Sequence, residues 1–202
     1  MLRSLRRFRR RAKKYFSVAG AAELSRRYFV MNSFDGALAI LGVVMGAYIT
    51  GRADARLIIN SGIGLALATG ISGFVGAFLS EKAERSRKIK EIEESIMMEI
   101  KDSIIYRASK FVTLALAVVD GISPALTIFL TLMPFIVHEA SPSALPLQHA
   151  MIASIAINLS MLALLGVYLG KIASANRLKY GLLTVAMGLT IVLILFLTGA
   201  GF

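Results

Sequence analysis

The stretch YFVMNSFDGALAILGVVMGAYIT, Tyr28–Thr50, runs for 23 residues with a single charged side chain, Asp35. At 1.5 Å per residue a helix of that length covers about 35 Å, enough to cross a hydrocarbon core of about 30 Å. Four more stretches read the same way: Leu57–Leu79, Phe111–Val137, Gln148–Gly170 and Tyr180–Thr198. All are continuous apolar runs. A membrane β-barrel would instead show ten-residue segments of alternating polarity, so that architecture is excluded. The fold class that follows is all-α: a polytopic membrane bundle of five transmembrane helices. Residues 1–27 form a basic N-terminal segment, 28–202 the transmembrane domain, and 80–110 a cytoplasmic helical extension within it. With 56% hydrophobic residues and a mean hydropathy of +0.71, the chain is more apolar than soluble domains are.

Charge sets the orientation. Of the 23 Lys and Arg, ten precede the first span, eight lie between the second and third, and three between the fourth and fifth. Arg52 and Arg56 alone fall on the other side. Lys and Arg close to spans stay cytoplasmic, so the N-terminus is expected inside, the C-terminus outside, and the protein in the cell membrane. The net charge of +11 is then a topology signal, and the basic N-terminal stretch is expected on anionic headgroups rather than on nucleic acid. With no Cys in the chain, a metal would have to be held by carboxylate, Met, Asn, His or backbone oxygen.

Two Asp-Gly pairs, Asp35-Gly36 and Asp120-Gly121, sit inside apolar spans. An ionisable residue there is expensive and marks a functional site by default. Asp35 lies about 10 Å into the membrane beyond Arg27, with no Lys or Arg in the span to pair with it. A metal ion or a proton is its expected companion, and Met31 and Asn32 offer a soft and a neutral ligand beside it. The bland alternative is an Asp that caps a helix break before Gly36. On helical spacing Met31, Asp35, Ala39, Gly42 and Gly46 share a face, and Gly62, Ala66, Gly70, Gly73 and Ala77 form a comparable small-residue stripe on the second span. Both stripes are expected to bring helices into tight packing or to line a cavity with backbone, and two chains are expected to pack through them as a homodimer. In the third span Asp120, Pro124, Thr127 and Thr131 line up with Ser123 beside them; in the fourth, Ser154 and Asn158 share a face. Asp120 is the expected second ligand or proton carrier. The two Asp-Gly pairs open spans one and three, which suggests a parallel internal repeat. The fifth span has no charged residue beyond Tyr180 and reads as a scaffold.

Between the second and third spans, Ile89, Ile92, Ile96, Ile100 and Ile104 recur at helical spacing, predicting one amphipathic helix that continues out of the second span. Its acids have two readings: a solvated face with intrahelical ion pairs, or a cation-collecting surface formed by Glu81, Glu84, Glu91, Glu94, Met98 and Glu99.

The motif Asn32-Ser33-Phe34-Asp35-Gly36, the exit Ala77-Phe78-Leu79-Ser80-Glu81-Lys82-Ala83-Glu84-Arg85 with Gly70-Ile71-Ser72-Gly73 before it, and Leu132-Met133-Pro134-Phe135 together resemble the vacuolar iron transporter family over about Tyr28 to Phe202. That resemblance implies a five-span homodimer that exports ferrous iron or manganese from the cytosol, with Asp35 in the transport site. Two positions depart from the family: Gly73 stands at its membrane methionine and Leu65 at an acid of its second span. The loop at 80–110 is also shorter than the family's multi-helix insertion. The expected function is divalent-cation transport, with protons as the counter-ion. The metal is cargo, no cofactor is called for, and the partners are lipid, metal ions and a second copy. The rival is a non-transporting membrane scaffold or accessory subunit. An intramembrane enzyme ranks third, because no His-Glu-x-x-His or Gly-x-Ser-x-Gly motif occurs.

Overall fold

A computed structural model describes residues 15, 20–51, 53–100 and 103–199. Most of the basic segment at 1–27, together with Arg52, Lys101 and Asp102, lies outside the described residues. Within them the fold is all-helical: α1 (Ala21–Ile49), α2 (Ala55–Ile96), α3 (Ile104–Ala140), α4 (Leu147–Ile172) and α5 (Arg177–Gly199). Each contains one expected span, and each is long and apolar enough to cross a membrane. The chain is therefore a multi-pass helical membrane protein in contact with lipid.

The helix ends follow from local chemistry. Asp54 caps α2 by accepting the Leu57 amide proton at 2.9 Å, Ser103 caps α3 by accepting from Tyr106 at 3.2 Å, and Asn176 caps α5 by accepting from Leu178 at 3.0 Å. Gly51, at φ +64°, ends α1 in the left-handed conformation that glycine adopts without a steric cost.

One expectation is corrected here. The helix leaving the second span stops at Ile96, so Ile100 and Ile104 do not continue the stripe of Ile89, Ile92 and Ile96. Met97 takes a left-handed φ of 52°, and the Met98 amide donates back to the Glu93 carbonyl at 3.2 Å. That is a Schellman closure with a non-glycine residue in the turn. The Glu93 carboxylate then accepts the Ile100 amide proton at 2.9 Å, holding the chain away from helix.

The described residues cluster into two compact units: 20–29 with 71–122, and 30–70 with 123–199. The first has a small core of Ala21, Val112 and Leu116. The second is centred on Ile40, Val44, Ile58, Ile128, Leu132 and Phe135 from α1, α2 and α3. Within it α4 and α5 pack closely. Gly166 faces Thr184, whose hydroxyl donates to the Leu162 carbonyl at 2.8 Å, and a β-carbon at Gly170 would lie 2.7 Å from Arg177 Cα. Small residues permit that approach where lipid provides no hydrophobic drive between helices. Arg56 and Glu139 pair at 2.8 Å between the start of α2 and the end of α3. Half of the apolar window of α3 is buried, but only 11% of that of α2.

Candidate functional site

In the second unit α1 runs unbroken through Asp35-Gly36, so Asp35 caps no helix break. Glycine is required at 36 by packing. A β-carbon there would meet Thr127 Oγ1 and lie 2.6 Å from both Cα and O of Pro124 on α3. This contact fixes the face of α1. Gly36, Ala37 and Ile40 turn inward, while Asp35 and Met31, one turn apart, turn outward. Met31 is 56% exposed, and no hydrogen bond or ion pair joins Asp35 to another described residue. Asn32, half-buried, already has an interaction of its own. Gly42 and Gly46 continue the outward stripe, with open space where a β-carbon would stand.

Two glycines of the small-residue stripe of α2 make close helix contacts within the chain. Gly62 packs on Leu132 and Ile40 within the second unit. In the first unit, Gly73 packs on Asp120, where a β-carbon would lie 3.0 Å from Oδ2 and 3.2 Å from the backbone oxygen. Gly62 and Gly73 are thus used within one chain.

Behind Gly36 lies a polar network that joins α1, α3 and α4. Thr127 donates to the Pro124 carbonyl at 2.8 Å, Thr131 to the Thr127 carbonyl at 2.9 Å, and Ser154 to the Thr131 carbonyl at 2.7 Å. Asn158 Nδ2 donates to the Ala37 carbonyl at 2.9 Å and to Thr131 Oγ1 at 3.1 Å. The residues were legible as polar positions at helical spacing, but their convergence was not. Asn158 Oδ1 and Ser33 Oγ are buried without a hydrogen-bond partner among the described residues.

In the first unit Asp120 is buried, 8% exposed, and engaged with neighbours. Pro124, four residues on, has no N–H to return to the Asp120 carbonyl, so the backbone oxygen beside Gly73 lacks its helical donor. Glu81 is 7% exposed, and both of its oxygens are occupied: Tyr28 donates to Oε1 at 2.9 Å and Arg85 to Oε2 at 3.0 Å. Sequence reading missed the Tyr28 member because it lies on α1, away from Glu81 and Arg85 on α2.

Two of the remaining acids of the extension, Glu84 and Glu91, make intrahelical ion pairs. Glu84 pairs with Arg87 at 3.0 Å and Lys88 at 3.3 Å, and Glu91 with Arg87 at 2.7 Å. The hydrogen bond from Arg87, then that from Lys88, holds the Glu84 carboxyl below the usual carboxylate range. Glu94, Met98 and Glu99 are exposed, Glu99 with an interaction of its own. Among the described residues, no three His, Asp or Glu side chains gather where they could hold a metal ion.

Five apolar helices with an outward carboxylate on the first and a buried one on the third define a multi-pass membrane protein with intramembrane acidic sites. No family model matches the chain. It is 34% identical over 183 residues to the uncharacterized protein MJ0645 of Methanocaldococcus jannaschii, an alignment covering 89% of this chain and 91% of that protein. The chain belongs to the same family as that archaeal protein.

Proposed function

We propose that the protein is a homodimeric transporter that moves divalent metal cations, ferrous iron or manganese, out of the cytosol in exchange for protons. The observation that carries this reading is the outward face of α1. An ionised carboxylate turned toward lipid in the middle of an apolar span is costly, so Asp35 is expected to meet something other than lipid. A second copy placed on the same face, where Gly42 and Gly46 leave room for close approach, brings a second Asp35 and a second Met31. Two carboxylates and two thioethers suit a divalent first-row metal of intermediate softness. Asp120, buried beside Gly73, serves as proton carrier or second ligand. In this reading the N-terminus is cytoplasmic, the C-terminus outside, and the membrane is that of the cell.

The decisive experiment reconstitutes purified protein in liposomes and compares uptake of ferrous, manganous, cobalt and zinc ions with and without a pH gradient. Uptake of at least one, lost in Asp35→Asn, is expected. No flux of any of the four would sink the proposal. The scaffold reading is then favoured by a specific feature, the engagement of Glu81, Glu84 and Glu91 by basic partners.

A further inference from the structure

A cavity of about 480 Å³ opens in the first unit where α2 leaves its apolar stretch and α3 enters its own. That volume lies within the range of roughly 300–1,000 Å³ typical of small-ligand sites. Its walls are graded. Phe78 and Leu114 lie inside the apolar spans, Lys82, Arg85 and Lys110 just beyond them, and Ile89 and Tyr106 farther out still.

The positive charge of this wall is only partly matched by described carboxylates. Arg85 shares Glu81 with Tyr28. Lys82 and Lys110 form no salt bridge with a described carboxylate; their ammonium groups lie 6.0 Å from the Phe78 ring centroid and 4.5 Å from that of Tyr106. Farther along α2 the contrast is plain, since Arg87 and Lys88 are matched by Glu84 and Glu91. The buried hydroxyls of Ser109 and Thr113 border the same cavity and can donate to an oxyanion.

We propose that this cavity binds the phosphate headgroup of an anionic phospholipid, with the phosphate between Lys82 and Lys110 and the glycerol end against Phe78 and Leu114. Phosphate chemistry could be met by a soluble anion, but such an anion has no use for the apolar wall. The cavity also lies at the apolar-to-basic boundary of two spans, where lipid headgroups reside, and basic pockets between transmembrane helices are known to take them. The inference does not depend on the transport reading.

The test uses the full-length protein in nanodiscs of phosphatidylcholine doped with phosphatidylglycerol, with lipids retained after detergent extraction counted by native mass spectrometry. Wild-type protein is expected to retain phosphatidylglycerol in preference to phosphatidylcholine. Lys82→Gln with Lys110→Gln should lower that retention at least tenfold, whereas Lys88→Gln with Lys90→Gln, the same charge change outside the cavity, should alter it less than twofold. Equal losses in both pairs would reduce the effect to general surface charge and overturn the site. Displacement of the bound lipid by millimolar inorganic phosphate would overturn the lipid assignment in favour of a soluble anion.

Discussion

The same dipeptide, Asp-Gly, occupies two opposite environments in this chain. At Asp35-Gly36 the glycine is the packed residue, pressed on Pro124 and Thr127, and the carboxylate is turned out of the chain. At Asp120 the carboxylate itself is buried, and a different glycine, Gly73 of α2, makes room for it. One aspartate is exposed on the surface of the described chain; the other is built into it. Any internal repeat therefore does not extend to the surroundings of these acids. The comparison also gives the Gly73 departure a physical content. Where the resembled family carries a methionine, this chain leaves little room for one, because Asp120 packs there.

The largest effect expected concerns the packed glycine. Gly36→Leu drives a side chain into backbone atoms of Pro124, and overpacking of that kind costs about 3 kcal/mol. Gly42→Leu, on the same helix but with open space at its β-position, should leave the stability of the single chain within about 0.5 kcal/mol and weaken dimer crosslinking instead. Equal destabilisation of the fold by both, read by unfolding in detergent, would break the inward–outward distinction.

Gly73→Met comes next. The nearest obstacle is the Asp120 carboxylate, which can rotate, followed by its backbone oxygen, which cannot, so a loss of about 1–3 kcal/mol is expected. Pairing it with Asp120→Ala should recover part of that loss. A Gly73→Met protein as stable as wild type would show that Asp120 does not fill this space.

Asn158→Leu removes two hydrogen bonds that tie α4 to α1 and α3, and buried polar contacts between membrane helices average about 0.6 kcal/mol each. A loss of about 1 kcal/mol is expected in the same unfolding assay. A gain in stability would mean that the unpartnered Asn158 Oδ1 outweighs the bonds the amide makes.

The smallest effect belongs to the extension. Because Arg87 and Lys88 hold the Glu84 carboxyl below its ordinary range, its ion pairs are intact above that range and are lost only as pH falls through the depressed value. Between pH 5 and 8 Glu84 should not titrate, and Glu84→Gln should leave the pH profile of metal uptake unchanged there. A shifted profile would return Glu84 to the functional residues.

The five spans were legible because twenty apolar residues in a row have few other fates, and the face carrying Asp120, Thr127 and Thr131 was legible from its spacing. What spacing could not supply was the side to which a face turns. Met31, Asp35, Gly42 and Gly46 were correctly grouped, yet only the contact of Gly36 with Pro124 shows that this group points outward. The small stripe of α2 carried the same sequence signal, yet its Gly62 and Gly73 pack on residues of the same chain. The break at Met97 was hidden for another reason, since a methionine in the left-handed conformation leaves no glycine to mark it. The bond from Tyr28 to Glu81 was hidden because the two lie 53 residues apart.

The central claim is that Asp35, on the outward face of α1, ligates a transported cation. It is tested most directly by metal flux into liposomes carrying wild type, Asp35→Asn or Asp35→Glu, with dimer content checked by crosslinking in each. The Asn variant keeps the shape and removes the charge; its flux should fall at least tenfold, the factor that about 1.4 kcal/mol of lost stabilisation produces. The Glu variant, which keeps the charge, should retain more. An Asn variant that inserts, dimerises and transports at the wild-type rate would contradict the account.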